Sequence, residues 1–187
     1  MDHPTDRDIL DALRNNSVPD EAFRRLLRVY QERLYWHVRR MVIDHDDAHD
    51  VMQEVWIRVW RALPGFREEA ALYTWLYRIA SNESLSHIKK QKRQRDHKQQ
   101  HSQEVAARGL NADPYFDGDE AQKALMQAVE SLPDKQRLVF NLKYFDDLKY
   151  EEIATITETS VGALKASYHH AVKKVEEHLR NALNQMT

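Results

Sequence analysis

The chain contains no cysteine. That excludes a disulfide framework, thiolate metal sites and thiol catalysis. Glycine and proline are sparse, with 4 and 5 copies in 187 residues. A sheet-rich fold with many tight turns uses both, because turns need a positive φ at glycine or the preset φ of proline. Helix is therefore the leading class. No stretch approaches the ~18 uncharged apolar residues of a membrane span, and Met1 to Leu13 lacks the apolar core of a secretory signal. A cytoplasmic protein without direct membrane insertion is expected. There is no glycine-rich phosphate loop, and nothing lifts a Ser/His/Asp triad above background, so neither enzymatic activity nor a cofactor is expected.

Charge is plentiful but unevenly placed. The 28 basic and 30 acidic side chains leave a net charge of −2, which argues against a uniformly basic DNA-binding surface. From Asp44 to Glu54 there are five acids (Asp44, Asp46, Asp47, Asp50, Glu54) and no Lys or Arg. From Arg78 to Lys98 seven bases face only Glu83 and Asp96. From His101 to Glu120 the sign turns acidic again. Any one such run can be a solvated face; three alternating blocks in a small chain fit different partners for different surfaces.

Helical periodicity and breakers predict an all-α fold of two small domains, 18–95 and 119–184, joined by a polar linker over 96–118. In the first domain Phe23, Leu26, Leu27, Tyr30, Leu34 and Val38 recur at helical spacing. Ala48, Val51, Met52, Val55, Val59 and Leu63 form a second stripe, with Asp46 and Asp47 as expected N-caps, and Pro64-Gly65 ends it. Leu72, Leu76, Ile79 and Ile88 line a third helix running into the basic block. In the second domain Leu125, Ala128, Val129 and Leu132 precede a break at Pro133, and Leu138, Val139 and Leu142 follow it.

The end of the chain reads as a helix-turn-helix. Tyr150 to Ile156 (YEEIATI) opens on Glu151 and Glu152, which suit the positive end of a helix dipole. Thr157 to Ser160 breaks the pattern, with Ser160 placed to cap the next helix. That helix carries Leu164, Tyr168, Ala171, Val175 and Leu179 on one stripe and Lys165, Ala166, His169, His170 and Lys173 on the opposite face. These are the parts of a DNA-reading motif, although a plain helical hairpin needs the same stripe. Its few cations predict weak phosphate attraction.

A second nucleic-acid signature lies between Phe66 and Lys98, where aromatics interleave with bases. Aromatic faces stack on unpaired bases while nearby cations hold the backbone. Trp75 lies one residue from the apolar stripe and reads as core. Tyr73 and Tyr77 share a face with each other more than with the stripe, and are the better stacking candidates.

The segments DAHDVMQEVWIRVW (47–60) and GFREEAALYTWLYRIASN (65–82) strongly resemble the first conserved domain of bacterial extracytoplasmic-function sigma factors. SLPDKQRLVFNLKYFDDLKYEEIA and SVGALKASYHHAVKKVEEHL resemble their second domain. The resemblance covers about residues 20–183. It implies a dissociable promoter-specificity subunit of RNA polymerase. Asp47, Asp50, Gln53, Glu54 and Arg58 would bind core polymerase. Phe66, Arg67, Tyr73, Trp75, Tyr77, Arg78 and Asn82, with Lys89, Lys90 and Arg93, would open and hold the minus-ten element. Ser160, Lys165, Ala166, His169, His170 and Lys173 would read the minus-thirty-five element. Core RNA polymerase, promoter DNA and an anti-sigma factor are the implied partners.

The chain departs from the family's pattern at several positions. Ala163, Ala166 and Ser167 stand where Thr, Ser and Arg are usual, His170 where a later Arg is frequent, and His49 where an acid is common. Bidentate arginine–guanine contacts are thus missing from those recognition positions. His45 and His49 have the spacing of a zinc motif, but Asp46 replaces its Glu and no third ligand follows, so no metal is expected; nor are the two rings expected to share a face at a helix start. An ordinary dimeric regulator would account for the helix-turn-helix alone, and a helical adaptor for neither nucleic-acid signature.

Overall fold

Apolar residues at three- and four-residue spacing build eight α-helices, and no strand occurs among the described residues. The computed structural model describes residues 6–14, 19–99 and 120–185. The first lobe holds α1 (Asp6–Arg14), α2 (Pro19–Val42), α3 (His45–Ala62) and α4 (Leu72–Gln99). The second holds α5 (Glu120–Glu130), α6 (Asp134–Phe140), α7 (Tyr150–Thr157) and α8 (Val161–Gln185).

The stripes read in the sequence face inward. Leu26, Leu34 and Val38 of α2, Ala48, Val55 and Val59 of α3, and Leu76 of α4 are fully enclosed. Burying each of the leucine and valine side chains contributes roughly 1.5–3 kcal/mol. The start of α3 differs in detail from expectation. Its N-cap is Asp44, whose carboxylate accepts from the backbone N–H of Asp46 and Asp47 at 2.9 and 3.1 Å; the two aspartates lie in the first turn instead. The α2–α3 connection is so short that Ile43 adopts φ 73°, a rare conformation for a β-branched residue. Helix α1 was not anticipated. Its Ile9 is fully buried, and Tyr30 donates to the Asp6 carboxylate.

In the second lobe, α6 runs into a π turn, Asn141–Phe145, closed by Asp146 N–H on Asn141 C=O at 3.1 Å. Ala128, Val129, Leu132, Phe140, Ala171 and Val175 form this lobe's own core. Another cluster runs across both lobes: Leu26, Leu34 and Leu76 belong to the same buried group as Leu142, Leu148, Ile153 and Leu164. The two lobes therefore lie face to face, with α4 packed on α7. Helix α4 continues to Gln99, past the expected lobe boundary at 95. Residues 100–118 of the expected linker lie outside the described residues.

Candidate polymerase and nucleic-acid interfaces

Helix α3 buries one side and presents Asp50, Gln53, Glu54 and Arg58 on the other. Asp47 is not free on that surface. Gln91 donates to its Oδ2 at 2.6 Å, and His87 Nε2 lies 3.1 Å from its Oδ1, outside hydrogen-bond geometry. Arg58 reaches Glu83 of α4 at 2.7 Å. Sequence reasoning missed two members of this face. Ile57 and Trp60 are 44% and 39% exposed, and Trp60 meets Phe23 edge-on with ring centroids 5.0 Å apart. Their signal was available, since both positions fall off the 48–51–55–59 stripe.

His45 and His49 do share a face, contrary to expectation. Their rings are 4.5 Å apart, their Nε2 atoms 3.2 Å apart, and Tyr35 Oη lies 2.9 Å from His45 Nδ1. No group of three or more metal-ligating side chains that could hold an ion occurs among the described residues.

The aromatic–basic segment divides into exposed and occupied residues. Arg67, Asn82, Lys89, Lys90 and Arg93 are exposed. Lys89, Lys90 and Arg93 line a shallow groove with Ser86 and Gln94, a cationic surface suited to phosphate. Trp75 is half-buried and packs on Phe66, with ring centroids 5.0 Å apart. Tyr77 corrects the sequence reading: it is buried, 6% exposed, with its ring 5.0 Å from that of His37. Burial, with the charge of Asp146, holds its phenol far above the ordinary value. It is a core residue and offers no stacking face.

Tyr73 is half-buried and donates to the Glu152 carboxylate on α7. Burial first, then this bond, raises the Tyr73 phenol. For Glu152, burial pulls upward, but the Tyr73 hydroxyl and the Lys149 N–H (2.7 Å) outweigh it and hold the carboxyl below its ordinary value. Arg78 also faces the second lobe, donating to Thr155 C=O at 2.5 Å.

The helix-turn-helix has the geometry expected of it. Glu152 accepts from the Lys149 N–H at the start of α7, and Glu158 ends that helix at φ 53°. Ser160 Oγ accepts from Ala163 N–H at 3.3 Å, capping α8. Leu164, Ala171 and Val175 are buried, Tyr168 and Leu179 half-buried. Lys165, Ala166, His169, His170 and Lys173 all face solvent. Lys165 Nζ lies 5.7 Å from the centre of the Tyr150 ring.

Residues 26–94 match the family model for sigma-70 region 2, and residues 122–175 match that for sigma-70 region 4. The RNA polymerase sigma-H factor of Pseudomonas aeruginosa is 31% identical over 180 residues, covering 88% of this chain and 89% of the relative. The ECF RNA polymerase sigma-E factor of Escherichia coli K12 is 32% identical over 171 residues, covering 83% and 85%. Two solved structures share the fold. The sigma factor RpoE, in complex with the anti-sigma factor NepR from Bartonella quintana, superposes with a TM-score of 0.71 at 24% identity, covering 87% of this chain and 98% of that one. CnrH, in complex with the cytosolic domain of CnrY, gives 0.68 at 21% identity, covering 94% and 97%.

Proposed function

The chain belongs to the extracytoplasmic-function sigma factors of the sigma-70 family, and from that premise we propose how its faces divide the work of directing RNA polymerase to promoters. The exposed side of α3, with Asp50, Gln53 and Glu54, docks on core polymerase; Asp47 and Arg58 hold that helix against α4. Ile57 and Trp60 extend the docking surface with apolar area. Arg67 and Asn82 contact the opened minus-ten element, with Phe66, Tyr73 and Trp75 as the aromatic surface and Arg78 beside them. Lys89, Lys90 and Arg93 hold the adjacent phosphates. Helix α8, capped by Ser160, reads the minus-thirty-five element through Lys165, Ala166, His169, His170 and Lys173.

One observation carries this division. The acidic docking residues are exposed on α3 and the cationic groove lies on α4 of the same lobe, while the exposed face of α8 stands on the other. A net negative chain can thus seek a basic protein partner and still present two cationic faces to DNA. The chain works in the cytoplasm, where polymerase is, as an initiation factor and not an enzyme. An anti-sigma factor is a further partner, as NepR is for the sigma factor RpoE of Bartonella quintana.

The experiment is transcription with purified core polymerase on matched duplex and pre-melted promoters. Arg67→Ala with Asn82→Ala removes two exposed side chains and leaves the core untouched. The double variant should lose far more activity on duplex than on pre-melted template. Equal loss on both would place these residues outside promoter opening.

A further inference from the structure

His45 and His49 stand four residues apart in the first two turns of α3, so their rings share one face. Their Nε2 atoms lie 3.2 Å apart. Two imidazole nitrogens on one tetrahedral zinc, each about 2.0–2.1 Å from it, stand about 3.3 Å from one another. The pair is therefore already spaced as two corners of a coordination shell. At this separation the two Nε2 atoms cannot both carry a proton without their N–H groups colliding, so at least one lone pair faces the other ring.

His45 is also held at its second nitrogen. Tyr35 Oη lies 2.9 Å from His45 Nδ1, and the Tyr35 ring meets that of His49 with centroids 5.5 Å apart. With the Nδ1 proton donated to the tyrosine oxygen, His45 Nε2 presents its lone pair to an ion. Such a bond is how proteins fix the tautomer and orientation of a metal-ligating histidine. His45 is half-buried and His49 exposed, so one ring is anchored, the other can adjust, and an ion reaches both from solvent.

The surrounding charge suits a cation. The positive end of α3 opposes one, as does Arg39, which is buried and hydrogen-bonded to Tyr35. Asp44 beside Arg39, and Asp46 and Asp47 in the first turn, offset both. Asp44 to Glu54 contains no Lys or Arg. No third ligand joins the histidines among the described residues, so water completes the shell and the site is open and exchangeable.

We propose that His45 and His49 form a two-histidine clamp for a divalent transition ion of the zinc class, and that the bound ion weakens docking on polymerase. Imidazole nitrogen suits zinc. The ion binds at the start of the acidic helix, on the residue next to Asp50, where its positive charge opposes the attraction of Asp50 and Glu54 for a basic partner. The second half of the proposal rests on the reading of α3 as the docking helix given above.

Zinc titration of the full chain, followed by histidine side-chain NMR and calorimetry, tests the site. His97 and His101 also stand four apart in the sequence, so the titrations use a His97→Ala, His101→Ala background. The first equivalent of zinc should shift the Nε2 resonances of His45 and His49 together. His49→Ala should weaken this binding more than about tenfold, because chelation by two linked ligands is lost. Tyr35→Phe should weaken it about tenfold at unchanged helicity, as loss of the bond that orients a ligand does. Early shifts confined to other histidines, or an affinity unmoved by His49→Ala, would overturn the site. Saturating zinc should lower affinity for core polymerase at least about fivefold, the low end of ordinary coupling between sites, and leave the His49→Ala chain unaffected. Equal core affinity with and without zinc would overturn the coupling. If Asp50→Arg with Glu54→Arg also leaves core affinity unchanged, the docking reading has failed, and the NMR titration alone decides the clamp.

Discussion

Tyr73 on α4 donates its phenolic hydrogen to the carboxylate of Glu152 on α7, joining two residues 79 positions apart. The bond needs a neutral phenol and an ionised carboxylate, and each group is shifted to favour that state. The lowered Glu152 value contributes stability that is present above the unfolded-state pKa and lost as pH falls through the folded one. The raised Tyr73 value contributes stability that is complete below the unfolded phenol value and lost only as pH rises through the folded one.

Tyr73→Phe should therefore be less stable than wild type by a constant margin at neutral pH. That margin should shrink below about pH 4, near the ordinary carboxylate range. Urea unfolding from pH 2 to 8 measures it. A difference that stays flat into acid would show that Glu152 ionisation does not sustain the bond.

Tyr77→Ala should act through the fold. The ring is buried beside His37, and removing a buried aromatic costs about 3–5 kcal/mol. Chemical denaturation should show that loss, and transcription should fall equally on duplex and pre-melted templates. A stable variant defective only on duplex would restore Tyr77 to the set of base-capturing residues.

Asp50 and Glu54 share an exposed face of α3 at i, i+4. Asp50→Arg with Glu54→Arg should abolish binding to core polymerase in gel filtration while circular dichroism stays native. Unchanged core affinity would reduce these acids to solubilising groups.

Glu158 occupies the left-handed region at φ 53° in the turn before α8. A non-glycine residue there carries a cost of about 1–2 kcal/mol. Its side chain is 78% exposed, and its approach to Arg78 is long, at 4.0 Å. Glu158→Gly should therefore stabilise the chain, raising Tm by about 2–4 °C per kcal/mol recovered. A lowered Tm in calorimetry would show that the Glu158 side chain matters more than its backbone.

Much of this architecture was legible from periodicity. The stripes of α3 and α8 have one buried side each, and spacing located them as it located the stripe of α2, which is covered more widely from His37 to Met41; Ser160 and Pro133 marked helix starts through their local chemistry. Tyr77 was misread because α4 is covered on two sides, by α2 and α3 and by α7. Its buried arc is wider than one stripe, and an amphipathic reading assigns the extra positions to solvent. Helix α1 went unread although Ile9 and Leu13 stand four apart. The contact of Asp146 with His37 and Arg40 could not be read at all. Those partners lie more than a hundred positions away, and the π turn that delivers Asp146 has no compositional signature. The exposed set on α8 was legible because its opposite stripe was; the docking of α7 on Tyr73 and Arg78 was not, since it depends on how the two lobes meet.

The most direct test of the account is run-off transcription by core polymerase plus this chain on a library randomised across both promoter elements, followed by sequencing of the transcribed templates. Wild type should select a preferred pair of elements. Lys165→Ala or His169→Ala should change the preferred upstream bases only, while Lys173→Ala weakens all promoters alike, as loss of a phosphate contact does. Upstream preferences identical to wild type in both the Lys165 and His169 variants would contradict the account and leave α7 and α8 as a helical hairpin that reads no DNA.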